Sequence, residues 1–192
     1  PLPTSVPEKK IPELEADAEH PNLWVYDIES AQVQCEDDDR EELYIHTPNC
    51  ICLRPVYLEG IEDKFHFTSR DKFVEFLLRE KRFEGATIYA HNGGAYDHQF
   101  VLQYLEKNCI QYTALPRPGS AHKYLDLTII RGTEKDKDIH FKDFFVFMPY
   151  SLKQIAKSFD LSIQKGDFPH NFNKPEHENY IGPLPYFRHY SP

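Results

Sequence analysis

Leu23-Trp24-Val25-Tyr26-Asp27-Ile28-Glu29 is the stretch that decides how this chain can fold, because an apolar run leads directly into two acids. Tryptophan, valine and tyrosine favour extended backbone, so the run predicts a β-strand. Successive side chains of a strand point to opposite faces, which puts Asp27 and Glu29 on the same face. Two neighbouring carboxylates repel each other unless a cation lies between them. The pair is therefore a candidate metal site, although a D-x-E sequence alone also arises by chance.

The second informative stretch is IYAHNGGAYD, which ends at Asp97. Its apolar start predicts a short buried strand over residues 87–90, the two glycines predict a loop, and Asp97 begins a predicted helix over about 97–107. Glycine lets backbone pass close by, so Asp97 is expected near the ends of the other strands. A helix-capping Asp, a structural histidine at His91 and a core tyrosine at Tyr96 are the simpler alternatives.

The rest of the chain continues the alternation of strand and helix patterns. The patterns predict strands over residues 43–53, 55–58, 65–67, 124–130 and 139–147, and helices over about 70–82 and 151–159. The acidic run 36–42 predicts a solvated turn between the first two strands. This order of elements predicts an α/β fold with one mixed sheet flanked by helices.

Composition divides the chain into a folding middle and two proline-rich ends. Hydrophobic residues make up 40% of the 192 residues, enough for one domain with a core. Residues 1–22 and 169–192 hold five prolines each, which is typical of linkers. We therefore predict an arm or linker over 1–22, a domain over 23–168 and a Pro-rich segment over 169–192.

The net charge of −9 disfavours a nucleic-acid partner at first sight. Residues 36–42, however, carry six acids and one arginine, which leaves a net charge of −4 for the other residues. An acidic chain can still bind nucleic acid through metal ions, because carboxylates must then cluster beside the substrate. The charge therefore leaves a metal-dependent enzyme of nucleic acids open.

The four cysteines are Cys35, Cys50, Cys52 and Cys109, and their spacing is not that of a disulfide framework. Buried free thiols are the simplest interpretation, and a zinc site involving His46 is the alternative. No stretch approaches the roughly 20 apolar residues of a membrane span, and no signal sequence is visible. These features predict a chain without membrane association in a reducing compartment: the cytoplasm, the nucleus or the mitochondrial matrix.

Taken in order, three stretches resemble the family-B DNA polymerases. The run YDIES at 26–30 resembles their first exonuclease motif, D-x-E, and NGGAYD at 92–97 resembles their second, N-x(2–3)-[F/Y]-D. Residues 151–170, which include IQKGDFPH, are similar to the lysine-bearing segment of the protein-primed subgroup. That subgroup includes polymerases of some bacteriophages, adenoviruses, linear plasmids and Maverick-type transposons. The resemblance covers about residues 23–188.

The resemblance implies an RNase H-like 3′→5′ exonuclease fold and a set of site residues. The implied catalytic residues are Asp27, Glu29, Asp97 and Lys165, and the three carboxylates would bind two Mg²⁺ or Mn²⁺ ions. The implied contacts to single-stranded DNA are Ser30, Tyr89, His91, Asn92, Tyr96 and Phe100. This chain has Phe144 where the family usually has a serine that contacts DNA. It also lacks the third motif, Y-x3-D, after Asp97, and we expect a chain cut off before that motif.

The function implied is that of a DNA-directed DNA polymerase whose exonuclease site proofreads the 3′ end during DNA replication. Primer-template DNA with its single-stranded 3′ end is the expected partner, a terminal priming protein is a further candidate partner, and the chain is expected to be a monomer. Two alternatives stay open. One is a single-stranded nucleic-acid-binding module without catalysis, and the other is a stand-alone RNase H-like nuclease.

Overall fold

The computed structural model describes residues 21–34, 44–57, 64–163, 166–177 and 180–190. Four predictions lie outside these residues: most of the arm over 1–22, the buried thiol at Cys35, the acidic turn over 36–42, and the position of Lys165. Within the described residues, no helix is long and apolar enough to cross a membrane.

The described residues form seven strands and three α-helices. The strands are β1 (Leu23–Gln34), β2 (Tyr44–Pro55), β3 (Phe65–Phe67), β4 (Thr87–Ala90), β5 (Tyr112–Arg117), β6 (Ser120–Ile129) and β7 (Ile139–Asp143). The helices are α1 (Arg70–Arg79), α2 (Asp97–Lys107) and α3 (Leu152–Ser158). Single turns of 3₁₀-helix lie at Lys81–Phe83, Gly93–Ala95, Lys135–Lys137, Phe144–Val146, Pro175–His177 and Phe187–His189.

The seven strands form one mixed sheet in the order β3-β2-β1-β4-β7-β6-β5. Strands β1, β4 and β7 are mutually parallel, and the outer pairs are antiparallel. Carboxyl ends of parallel strands meet at one edge of a sheet, where α/β proteins bind ligands. In this sheet Val25 pairs with Tyr89, and Ala90 pairs with Asp143. Asp27 therefore lies just past the end of β4.

The hydrophobic core lies between one face of the sheet and helices α1 and α2. Trp24, Tyr26 and Ile28 of β1 are almost fully buried on this face. The Tyr26 ring stacks on Phe73 of α1, with 5.6 Å between ring centroids. Burial of apolar surface contributes about 25 cal/mol per Å², so this layer supplies most of the driving force for folding. The predicted α/β fold with a mixed sheet is confirmed.

Three predicted boundaries are wrong, and each has a local cause. No separate strand begins in the described part of the predicted range 55–58: Pro55 ends β2, and residues 56 and 57 form a bend. The strand predicted over 139–147 stops at Asp143, because the Asp143 carboxylate accepts a hydrogen bond from the Phe145 N–H and turns the chain into a 3₁₀ turn. Helix α1 ends at Arg79, before 82, and a 3₁₀ turn follows.

The cysteines are less buried than the sequence predicts. Cys50 and Cys52 are half-buried and Cys109 is exposed, and all three thiols are free. Residues 112–117 form a strand, β5, that the sequence analysis did not predict. Its short run of mixed residues includes Pro116, which is uncommon inside a sheet and is tolerated here because β5 is an edge strand.

Candidate metal and nucleic-acid site

Strand β1 carries the first two acids on the sheet face opposite the core. Asp27 is exposed, and Glu29 is half-buried. A register shift between β1 and β2 follows Glu29, which pairs with Cys50, while Ser30 pairs with Pro48. Pro48 has no N–H to give to the ladder, and a bulge is the usual way for a sheet to accommodate that loss. The bulge therefore lies directly after the second acid.

Asp97, the first residue of α2, is the third acid and is only 4% exposed. Its Oδ1 accepts a hydrogen bond of 2.9 Å from the backbone N–H of Ile28, the residue between Asp27 and Glu29. Burial, and then the negative charge of Asp27, raise the pKa of Asp97 to about 7, and Glu29 adds to the rise. The three predicted carboxylates are therefore close enough to repel one another.

The glycines before Asp97 let this loop lie against the neighbouring strands. A Cβ at Gly94 would lie 1.9 Å from the carbonyl oxygen of Tyr124, and a Cβ at Gly93 would lie 2.6 Å from the Ala90 Cβ. The Gly94 N–H donates a hydrogen bond of 3.3 Å to Oδ2 of buried Asp143. Asp143 thus ties the loop to the end of β7, a role that the sequence did not reveal.

His98 supports the site from the core side. It is fully buried, and its Nδ1 lies 2.6 Å from the Tyr26 hydroxyl. Burial lowers the pKa of His98 to about 4, so the ring is neutral at physiological pH. This bond joins the strand that carries Asp27 to the helix that Asp97 begins. A histidine inside an apolar helical stripe gives no sequence signal of such a partner.

The predicted DNA contacts lie on two sides of the acids. Ser30 and Tyr96 lie on the β2 side, where their hydroxyls are hydrogen-bonded to each other. Phe100 is 5% exposed and packs edge-on against Tyr96, with centroids 5.0 Å apart, so it supports the Tyr96 ring from below. Asn92 has a left-handed backbone (φ 62°) and forms the turn after β4.

Tyr89 and His91 lie on the other side, in a pocket of about 740 Å³ that Asp27 and Arg54 also line. The Tyr89 ring lies 6.3 Å from the rings of both Phe144 and Phe147. The pocket therefore presents an aromatic surface where the family usually offers a serine. Among the described residues, the buried Nδ1 of His91 has no hydrogen-bond partner, which does not fit a purely structural histidine.

The segment after α3 reaches back to the site. Nδ1 of His170 lies 3.7 Å from Oε2 of Glu29. The side-chain amides of Asn49 and Asn173 exchange two hydrogen bonds, of 2.7 and 3.1 Å, which fix this segment to β2. The part of the chain predicted as a Pro-rich segment thus lies beside the acids.

The donor set agrees with a hard divalent cation in its chemistry. Carboxylate oxygens are the ligands that Mg²⁺ prefers, and a cation would relieve the repulsion that raises the pKa of Asp97. Across the described ranges, no three His, Cys, Asp or Glu side chains are grouped so that they could hold one ion as they stand. This applies to the three carboxylates and to the zinc alternative at Cys50, Cys52 and His46. Metal binding at the acids would require their side chains to turn.

The fold and this edge of acids define a class: an α/β domain with converging carboxylates beside an aromatic pocket. The model of DNA polymerase type B, organellar and viral, matches residues 79–190. The chain belongs to that family, as the sequence motifs indicated.

Curated relatives carry the same name. A probable DNA polymerase of Agaricus bitorquis is 34% identical over 104 residues, which are 54% of this chain and 12% of that protein. The DNA polymerase of Bacillus phage phi29 is 27% identical over a 128-residue alignment, and the match covers 60% of this chain and 21% of that protein. The chain thus spans about an eighth to a fifth of these relatives.

Solved structures share the fold. Phi29 DNA polymerase in an orthorhombic crystal form matches 83% of this chain and 27% of its own, with a TM-score of 0.60 and 18% identity. The same polymerase complexed with single-stranded DNA matches 77% of this chain and 25% of its own, with a TM-score of 0.56 and 20% identity. At these identities the likeness is one of fold.

Proposed function

We propose that this chain is part of a DNA-directed DNA polymerase and carries its proofreading 3′→5′ exonuclease site. The observation that carries the proposal is the approach of buried Asp97 to Asp27 and Glu29. The family membership supports it, because the acids coincide with two motifs that resemble exonuclease motifs of family-B polymerases. The reaction proposed is hydrolysis of the 3′-terminal phosphodiester of single-stranded DNA.

Asp27, Glu29 and Asp97 would hold two Mg²⁺ or Mn²⁺ ions. When bound, such ions supply an activated water and stabilise the leaving oxygen. The hydrogen bond from the Ile28 N–H would hold one carboxylate oxygen of Asp97 in place, and the exposed side chain of Asp27 would turn toward the ions. Loss of the proton from Asp97 accompanies metal binding, because a carboxylate binds a cation in its ionised form. Lys165 is proposed as an auxiliary catalytic residue.

Single-stranded DNA would lie between the two groups of contacts. Ser30 and Tyr96 offer hydroxyls to the sugar and phosphate, and Tyr89 and His91 offer rings to the bases. Stacking of an unpaired base on an aromatic side chain contributes about 1–3 kcal/mol, so frayed and mismatched ends are favoured substrates. Structures of phi29 DNA polymerase complexed with primer-template and single-stranded DNA support DNA as the partner.

The remaining parts of the proposal concern the whole protein. We propose that it acts as a monomer inside the cell, in a reducing compartment, with a terminal priming protein as a further partner. The family membership favours a polymerase over a stand-alone nuclease. The second candidate function is a single-stranded nucleic-acid-binding module without catalysis.

The test is the shortening of a 5′-labelled single-stranded oligonucleotide by the full-length protein, with Mg²⁺, Mn²⁺ or EDTA. We expect wild-type protein to shorten the strand from its 3′ end with metal and not with EDTA. The double variant Asp27→Asn/Glu29→Gln should lose at least about 100-fold in rate, because its metal ligands are gone. The matched control, Glu134→Gln/Asp136→Asn, removes the same two charges from an exposed turn and should cut normally.

Wild-type protein that binds the strand but never cuts it would establish the binding module and overturn the nuclease. Equal cutting by the two double variants would overturn the assignment of Asp27 and Glu29.

A further inference from the structure

His46 of β2 belongs to a polar cluster at the rim of the acidic site. Its Nδ1 lies 3.2 Å from the Ser30 Oγ and 3.0 Å from the Tyr96 hydroxyl oxygen, and these two hydroxyls are hydrogen-bonded to each other. The imidazole also packs edge-on against the Tyr96 ring, with centroids 5.7 Å apart. One histidine thus contacts both hydroxyl groups on this side of the site.

The cluster is joined directly to the acids along the chain. Ser30 follows Glu29, at the register shift between β1 and β2. Tyr96 precedes Asp97, at the start of α2. His46 comes from a third element, so it links the two chain segments that carry the acids.

The His46 imidazole influences how the Ser30 and Tyr96 hydroxyls are oriented. Each hydroxyl has one proton to donate, and the imidazole Nδ1 either accepts one of these protons or donates its own. When Nδ1 donates, one hydroxyl proton bonds the neighbouring hydroxyl and the other is left for a ligand; when Nδ1 accepts, both hydroxyl protons are held within the cluster and a ligand meets only hydroxyl lone pairs. Without the imidazole, the Ser30 and Tyr96 hydroxyls are hydrogen-bonded only to each other, and their orientation is less restricted.

The exposure of His46 does not fit a purely structural role. The side chain is exposed, whereas Ser30 is buried and Phe100 closes the core beneath Tyr96. An exposed ring adds little to the hydrophobic core, so its removal should change the free energy of unfolding only slightly. A surface histidine held by two hydroxyls at the edge of a candidate site is better explained by what those hydroxyls contact.

We propose that His46 is a positioning residue of the single-strand site, which orients the Ser30 and Tyr96 hydroxyls toward the sugar-phosphate of the strand's 3′ end. This inference rests on the proposed function. His46 acts through the two hydroxyls. Loss of one oriented hydrogen bond changes a binding constant by about threefold to tenfold.

The test measures binding of a labelled single-stranded oligonucleotide by the full-length protein in EDTA, alongside KM and kcat with Mg²⁺. We expect His46→Ala to weaken binding about threefold to tenfold and to raise KM by a similar factor with little change in kcat. His46→Asn should recover most of the affinity, because the asparagine amide can occupy the position of Nδ1. His66→Ala, at an exposed histidine of β3, is the matched control and should bind as wild type.

A double-mutant cycle with Tyr96→Phe isolates the positioning role. His46→Ala should cost less in a Tyr96→Phe background than in wild type, because one of the two hydroxyls that His46 orients is already absent. Full additivity, or wild-type binding by His46→Ala, overturns the inference and leaves the proposed function standing. Wild-type protein that neither binds nor shortens the strand overturns the proposed function and this inference with it.

Discussion

The two faces of strand β1 differ in what they contribute, although their residues alternate along one chain. On the core face, Tyr26 and Ile28 are each 4% exposed and pack against the helices. On the opposite face, Val25 is 42% exposed and Asp27 is also exposed. Residues that stabilise the fold and residues proposed to bind metal ions are thus separated by a single position. Substitutions at neighbouring positions of β1 should therefore have opposite consequences.

The largest expected contrast is between Ile28→Ala and Asp27→Asn. Ile28→Ala should lower the free energy of unfolding by about 2–5 kcal/mol, because it leaves a cavity in the core. Asp27→Asn should change it by less than about 0.5 kcal/mol, as an exposed substitution does, while it abolishes the proposed nuclease activity. Denaturant unfolding of both variants measures the contrast. Equal losses of stability would contradict the separation of the two faces.

Gly94→Ala should lower the stability of the protein by disturbing the loop that leads to Asp97. The added Cβ would meet the Tyr124 carbonyl oxygen at 1.9 Å, so strand β6 or the loop must move. Such overpacking costs about 1–3 kcal/mol, which a thermal or denaturant melt detects. Gly166→Ala is the control, because a Cβ there meets no atom within 4 Å. A Gly94→Ala protein as stable as this control would show that the close approach is not constraining.

Asp97→Asn should stabilise the metal-free protein, and more so at higher pH. The pKa of Asp97 is raised from 3.8 to about 7, so between these values the unfolded carboxyl loses a proton that the buried one keeps. The free energy of unfolding of wild type therefore falls as pH rises through this range. The variant does not undergo this loss of stability and should be more stable by on the order of 4 kcal/mol at pH 8, with the difference vanishing near pH 4.

Denaturant unfolding in EDTA over this pH range measures the difference in the free energy of unfolding between the two proteins. The titration of His98 does not contribute to this difference, because both proteins contain His98. A difference that is independent of pH, or one that grows toward pH 4, would contradict the electrostatic account of the site.

The smallest expected effect is at the aromatic pocket. Phe144→Ala should weaken binding of a single-stranded oligonucleotide about fivefold, because a base loses one stacking surface. Phe187→Ala, at an exposed ring outside the pocket, is the control. Fluorescence anisotropy in EDTA measures both. Unchanged binding by Phe144→Ala would restrict the single-strand contacts to the Ser30 and Tyr96 side.

The sequence predicted the features that depend on strong local patterns. The alternation in β1 gave the shared face of Asp27 and Glu29, and the glycine loop gave the start of α2 at Asp97. Long-range pairings could not be predicted, because their partners lie far apart in the chain. The bond between Tyr26 and His98, the contact of Asp143 with Gly94 and the cluster around His46 are of this kind. The ends of β7 and α1 were missed because a side-chain hydrogen bond and a 3₁₀ turn decided them.

The central claim is that the acids of β1 bind metal ions. Its most direct test is the equilibrium binding of Mn²⁺ to the full-length protein, measured by isothermal titration calorimetry. We expect wild type and the Glu134→Gln/Asp136→Asn control to bind about two ions more than the Asp27→Asn/Glu29→Gln variant, because a polymerase site elsewhere in the full-length protein would bind its own ions in all three proteins. The Asp27→Asn/Glu29→Gln variant should lose this binding while its fold is retained. Equal Mn²⁺ binding by all three proteins would show that the acidic face of β1 is not the metal site.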